Sequence, residues 1–185
     1  MSHCEDCAVA KAHRQPANKQ SIPRRTKVLD LVYSDVVVPM ETISHGECRF
    51  AVCFIDCYSR YGRVYFMKMK SESLSKFQLF CSEEGTPKTL RTDGGGEYGS
   101  KALSDFCLIK GIKHEFTAPY SPHQNGVAER RWRTTVEMAR CLLRTSGLPN
   151  EFWVRALDVA FYTTNRCLSS PLPTGKLHLS CLLAF

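Results

Sequence analysis

Residues 28–38, Val-Leu-Asp-Leu-Val-Tyr-Ser-Asp-Val-Val-Val, are apolar almost without a break. A strand of this composition has both faces covered and belongs in the middle of a sheet. Asp35 stands inside the run. A carboxylate is costly to bury unless it is paired or bound to a metal, so Asp35 is a candidate functional residue. Asp30, nearer the start of the run, is expected to face solvent.

The downstream pattern predicts what that strand pairs with. Residues 49–57 and 62–69 read as a second and a third strand, with turns at Gly46 and at 58–62. Short strands joined by tight turns make an antiparallel meander. Leu74, Phe77, Phe80 and Cys81 recur at helical spacing over 73–84, and Gly85-Thr-Pro87 ends that helix. A fourth strand around 89–92 delivers Asp93. A helix over 100–110 carries Leu103, Phe106, Cys107 and Ile109 inward, with Gly111 as its C-cap. A fifth strand follows at 113–117. Helices are predicted over 127–146, capped by Gly147, and over 150–165. The aromatic residues of the last helix, Phe152, Trp153 and Phe161, read as core rather than as a base-stacking platform. The alternation predicts an α/β fold: a mixed five-stranded sheet, antiparallel meander plus parallel strands, flanked by helices.

Two stretches carry the chemistry. Leu-Arg-Thr-Asp-Gly-Gly-Gly-Glu-Tyr at 90–98 reads as a short strand that stops on Asp93 at its exposed end. Tyr-Ser-Pro-His-Gln-Asn-Gly-Val-Ala-Glu-Arg-Arg-Trp-Arg at 120–133 reads as a loop feeding a helix. On that helix Ala128, Trp132, Val136, Ala139 and Leu143 form one apolar stripe. Glu129 lies at the edge of the stripe, with Arg133 and Arg140 on the same flank. Converging carboxylates suit a hard divalent cation, and neighbouring arginines suit a phosphate backbone. Taken singly, Asp93 and Glu129 also read as solvated surface charges. Asp56 ends a strand before a turn, where Asp commonly bonds local backbone.

Three segments together resemble the catalytic core of copia-type retrotransposon integrases: Tyr33-Ser-Asp35, Asp93-Gly-Gly-Gly-Glu-Tyr, and Ser-Pro-His-Gln-Asn-Gly-Val-Ala-Glu129-Arg. Asp93 and Glu129 are separated by 35 residues, similar to the spacing of the integrase acidic triad. Phe54-Ile-Asp-Cys-Tyr-Ser-Arg-Tyr61 and Gly111-Ile-Lys-His-Glu-Phe-Thr117 resemble the same family, and the likeness runs in order from about Cys4 to Arg166. The resemblance implies a ribonuclease H-like fold and a fragment of a larger polyprotein. It also implies strand transfer, in which a 3′-hydroxyl of element DNA attacks a target phosphodiester. Asp35, Asp93 and Glu129 would then be the catalytic residues and the ligands of two Mg²⁺ or Mn²⁺ ions. Lys88, Lys113, Arg130, Arg131 and Arg133 would be phosphate contacts. One departure touches the site: Gly94 stands where the family usually has Asn, which loosens the loop after Asp93.

The chain's 185 residues suit one domain with flanking sequence. The expected division is a remnant of a zinc-binding module with a basic linker at 1–27, a catalytic core at 28–166, and a divergent tail at 167–185. The net charge of +7 favours an acidic polymer as partner. It concentrates in two places: residues 1–27 hold six Lys or Arg against two acids, and residues 129–144 hold five Arg against two Glu. Cys4 and Cys7 form a Cys-x-x-Cys turn, half of a structural zinc site. His3 and His13 are the nearby candidates for the rest. By resemblance the pair completes a module whose histidines lie upstream, which leaves a zinc site incomplete in this chain. The ten cysteines otherwise read as reduced core residues of an intracellular protein, nuclear or within a retrotransposon particle and not secreted. No apolar run is long enough to span a bilayer.

Three functional readings stay open on the sequence. The first is an active polynucleotidyl transferase acting on DNA, as a homo-oligomer. The second is a catalytically impaired or domesticated nucleic-acid-binding remnant of the same fold. The third is a ribonuclease H-type nuclease, which would prefer an RNA–DNA hybrid.

Overall fold

The computed structural model describes residues 26–36, 41–117 and 126–167. The expectations placed on Cys4, Cys7 and the basic arm lie outside those residues. So do those on Val37 and Val38, on the loop at 119–125, and on the tail beyond Cys167.

The sheet has five strands in the order β3-β2-β1-β4-β5. β1 (Val32–Val36), β2 (Phe50–Asp56) and β3 (Gly62–Met67) form the antiparallel meander. β4 (Thr89–Thr92) pairs parallel with β1, and β5 (Lys113–Phe116) pairs parallel with β4. The apolar run is thus the central strand, although it becomes extended only from Val32, after a turn at 27–30. Among the described residues four α-helices accompany the sheet: α1 (Ser73–Glu84), α2 (Lys101–Lys110), α3 (Gly126–Ser146) and α4 (Trp153–Arg166).

Successive side chains of a strand point to opposite faces, and each face of this sheet has its own core. Val32, Val52, Phe54 and Leu90 pack with Phe77 and Phe80 of α1 and Leu103 and Cys107 of α2. Phe54 is central, with its ring 4.9 Å from that of Phe80 and 5.5 Å from that of Phe77. On the opposite face, Leu31, Tyr33, Cys53 and Ile55 pack with Ala128 of α3 and Phe161 of α4. Trp153, Ala156, Leu157 and Ala160 of α4 join Ala139 of α3 over Ala51. Trp153 and Phe161 are core, as their spacing predicts, whereas Phe152 is only half-buried and stacks on the His45 ring.

Gly62 is where α4 meets the sheet. A Cβ there would stand 2.9 Å from the Phe161 ring, so only glycine permits this approach. Gly111 ends α2 with φ 67°, and its N–H returns to the carbonyl of Leu108.

Two expectations are corrected. Ile109 is 80% exposed, beside Leu108 at 81%. Leu103 and Cys107 define the inner arc of α2, and position 109 falls on the far side of a 3.6-residue turn. Ile112, just past the helix, is the residue that enters the core. Asp30 does not simply face solvent, because it accepts an ion pair from Lys88 at 2.8 Å. Of the cysteines among the described residues, Cys53, Cys57 and Cys107 are buried, Cys48 and Cys81 are half-buried, and Cys141 and Cys167 are exposed, all as free thiols.

Candidate active site

Parallel pairing brings Asp35 and Asp93 to the same edge. Val32 is level with Leu90 and Tyr33 with Arg91. Continuing that register by two residues sets Asp35 beside Asp93, on the face that Tyr33 shares with α3. Asp93 follows the last residue of β4, and its Oδ1 accepts the Gly95 N–H at 3.2 Å. Glu129 lies in the first turn of α3, next to the fully buried Ala128. Ala128 presses the helix onto the sheet, and Glu129 projects at its rim.

Asp35 and Glu129 line one open cavity of about 290 Å³, together with Trp132, Arg133, Val136, Glu137 and Arg140. Its wall is one flank of α3, about three turns long, on which the apolar Trp132 and Val136 alternate with the cationic Arg133 and Arg140 and the acidic Glu129 and Glu137. Burial pushes the Asp35 carboxyl up to about 6, and the negative charges of Asp93, Glu129 and Glu97 push in the same direction. Glu97 is a fourth acid that the sequence reading left out. Its side chain is 10% exposed and lies 3.9 Å from Lys70.

Carboxylate oxygens gathered in this way would suit a hard divalent cation, whose charge would offset the burial and the repulsion that raise Asp35. Among the described residues no three His, Cys, Asp or Glu side chains stand close enough to share one ion. Coordination by all three acids would need them to draw closer than they stand.

Asp56 is accounted for by backbone. Its Oδ1 accepts the Leu29 N–H at 2.8 Å, and its Oδ2 accepts the Ser59 N–H at 2.6 Å and the Ser59 hydroxyl at 2.7 Å. Burial still pushes its carboxyl upward against those bonds.

The predicted phosphate contacts divide. Arg130 and Arg133 are exposed on α3, and Arg133 lines the cavity. Arg131 turns inward. It donates to Asn165 Oδ1 at 2.6 Å and to the Thr164 carbonyl at 3.4 Å, and its own carbonyl accepts the Thr135 hydroxyl. Position 131 is three residues after Ala128 and four before the buried Thr135, so it belongs to the inner face. Burial lowers its guanidinium to about 10. Lys88 precedes β4 and Lys113 opens β5, both at the end of the parallel strands opposite the carboxylates. Five residues at ~3.3 Å each place Lys88 roughly 16 Å from Asp93. Lys88 pairs with Asp30, and Lys113 with Glu115 at 2.8 Å.

A sheet with two acids at neighbouring parallel strand ends, and a third on the helix across that face, is a ribonuclease H-like core. Solved structures share this fold. The simian T-cell lymphotropic virus intasome, in complex with a PP2A regulatory subunit, superposes with TM-score 0.74 at 21% identity, over 94% of this chain and 60% of that one. The HTLV-2 integrase catalytic core domain, in complex with magnesium, superposes with TM-score 0.65 at 23% identity, over 84% of this chain and 97% of that one.

Residues 25–122 match the integrase core domain family, and the chain belongs to that family. The retrovirus-related Pol polyprotein from transposon TNT 1-94 of Nicotiana tabacum is 44% identical over 174 residues, and that from transposon RE2 of Arabidopsis thaliana is 35% identical over 181. These plant relatives bear out the resemblance to copia-type integrases. They cover 91% and 95% of this chain, and the chain spans only 13% and 12% of their lengths.

Proposed function

We propose that this domain catalyses metal-dependent DNA strand transfer, with Asp35, Asp93 and Glu129 as the catalytic carboxylates. The observation that carries this reading is the shared environment of the three acids. Asp35 and Glu129 line one cavity, and the charges of Asp93 and Glu129 both reach the half-buried Asp35. The magnesium in the HTLV-2 relative supports the choice of ion.

Divalent cations held by these acids would supply the Lewis acidity that activates an attacking hydroxyl and stabilises a leaving oxygen. The chain's own residues do the positioning. β1 and β4 fix Asp35 and Asp93 side by side, and α3 brings Glu129 across from them. Arg133 and Arg140, two turns apart on the cavity flank, hold phosphates by charge-assisted hydrogen bonds. In the reaction, the 3′-oxygen of the element strand forms a bond to a target phosphorus as the target's own 3′-oxygen leaves. One phosphodiester replaces another: the attacking hydroxyl gives its proton to solvent, and the departing 3′-oxygen takes one up from solvent to become a hydroxyl. Joining two element ends requires at least two protomers, in keeping with the intasome relative and with the dimeric and trimeric forms of the HTLV-2 domain. None of the helices among the described residues is long and apolar enough to cross a membrane.

The test is transesterification of a labelled branched DNA by purified protein with Mn²⁺, for the wild type and Glu129→Gln. Product from the wild type and none from the variant is expected. No product from a folded wild type overturns the catalytic reading. Retained salt-sensitive DNA binding would then indicate a nucleic-acid-binding remnant, and cleavage confined to an RNA–DNA hybrid would indicate a ribonuclease H-type nuclease.

A further inference from the structure

We infer that Ser34 and Tyr98 are a pair of positioning residues, whose shared hydrogen bond fixes the loop after Asp93 to the strand that carries Asp35; this rests on the metal-binding reading of those acids. The Ser34 Oγ and the Tyr98 hydroxyl are 2.6 Å apart. Both residues are buried, Ser34 completely and Tyr98 to 3% exposure. Ser34 immediately precedes Asp35 but points to the opposite face of the sheet, where the Tyr98 ring packs with Val32, Leu90 and Leu103. The bond therefore lies beneath the carboxylates without touching the side where a cation or DNA would bind.

The loop needs such an anchor. Gly94, Gly95 and Gly96 follow Asp93 in succession, and a Cβ at Gly94 or Gly96 would meet nothing within 4 Å. Side chains contribute no packing there. The loop's own bonds are the Gly95 N–H to Asp93 Oδ1, the Tyr98 N–H to the Gly95 carbonyl at 3.0 Å and the Gly99 N–H to the Gly96 carbonyl at 3.3 Å, while Glu97 is met by the Ser73 hydroxyl at its carbonyl (3.5 Å) and by Lys70 at its carboxylate (3.9 Å). These shape the turn but do not tie it to β1. The ring of Tyr98 gives it a floor, and the hydroxyl gives it a fixed distance from Asp35. A phenylalanine would supply only the floor.

The asymmetry of buried hydrogen bonds separates positioning from mere stability. Removing one partner strands the other, whereas removing both leaves an apolar contact and is close to neutral for folding. The variants are Tyr98→Phe and Ser34→Ala/Tyr98→Phe, compared with the wild type by two readouts. The first is amide hydrogen exchange over residues 94–99 without added metal. The second is half-saturation by Mn²⁺, followed as a thermal shift. Tyr98→Phe is expected to lower stability. The double variant should recover it, yet keep loop exchange about tenfold faster and half-saturation about tenfold higher than the wild type, the scale typical of groups supporting metal ligands. Loop exchange in the double variant equal to that of the wild type overturns the inference, whatever Mn²⁺ does. If Mn²⁺ fails to shift the wild type, metal binding falls instead, and exchange still decides whether the pair anchors the loop.

Discussion

Asn165 grips Gly62 by both of its main-chain polar groups: the Gly62 N–H donates to Asn165 Oδ1 at 3.0 Å, and Asn165 Nδ2 donates to the Gly62 carbonyl at 2.8 Å. The same Oδ1 accepts from Arg131, so one amide joins β3, α3 and α4. Asn165→Ala removes the side-chain partner of two Gly62 main-chain groups and one acceptor of the Arg131 guanidinium, which keeps the Thr164 carbonyl. The expected cost is about 2–3 kcal/mol, read by urea unfolding. Asn165→Asp should fall short of rescue, because a carboxylate cannot donate to the Gly62 carbonyl. Full stability in either variant would show that the grip is dispensable.

Gly62→Ala tests the neighbouring contact. The added methyl would press on the Phe161 ring at 2.9 Å, and overpacking of this kind costs about 1–3 kcal/mol. Phe161→Leu in the same chain should return part of that loss by opening the space. An unchanged melting temperature in Gly62→Ala alone would mean that the ring moves aside freely.

The arginines of α3 should separate by direction. Arg133→Ala is expected to weaken DNA binding and to reduce the slope of log affinity against log salt by about one. Lys88→Ala, at the opposite edge and already paired with Asp30, should leave both quantities unchanged. Arg131→Ala should lower stability and leave the salt slope alone, since its guanidinium faces α4. Fluorescence anisotropy across a salt series, with unfolding curves for each variant, checks all three.

This division also shows what the sequence could and could not convey. The order and type of strands and helices were legible because apolar residues recur with clean periods, and because Gly111 and Gly147 mark helix ends at φ 67°. Asp35 was legible as an acid inside an apolar strand. The fate of Arg131 was not, since a charged residue reads as solvated until a partner is known, and Asn165 lies 34 residues away. The places of Lys88 and Lys113 were hidden for a related reason. Proximity along the chain to Asp93 says nothing about which end of a parallel strand a residue occupies. Ser34 and Tyr98 look unremarkable singly, and only the fold brings them across 64 residues into contact.

The pH dependence of stability should report on Asp35 directly. Its carboxyl is raised from 3.8 to about 6 by burial and by the surrounding acids. A folded state that holds this proton more tightly than the unfolded chain is favoured at low pH. The contribution is fully present below about pH 4 and is lost as pH rises through 6. A shift of this size corresponds to at most ~3 kcal/mol. Asp35→Asn removes the titration, so with chelator present the wild type should lose stability relative to the variant between pH 4 and pH 7. Saturating Mg²⁺ should cancel that loss for the wild type alone, because the cation stabilises the ionised carboxylate and has no such group to neutralise in the variant. Urea unfolding of both proteins at several pH values, with and without Mg²⁺, measures the difference. A constant difference across the pH range would mean that burial and the neighbouring acids do not raise the Asp35 carboxyl in the folded protein.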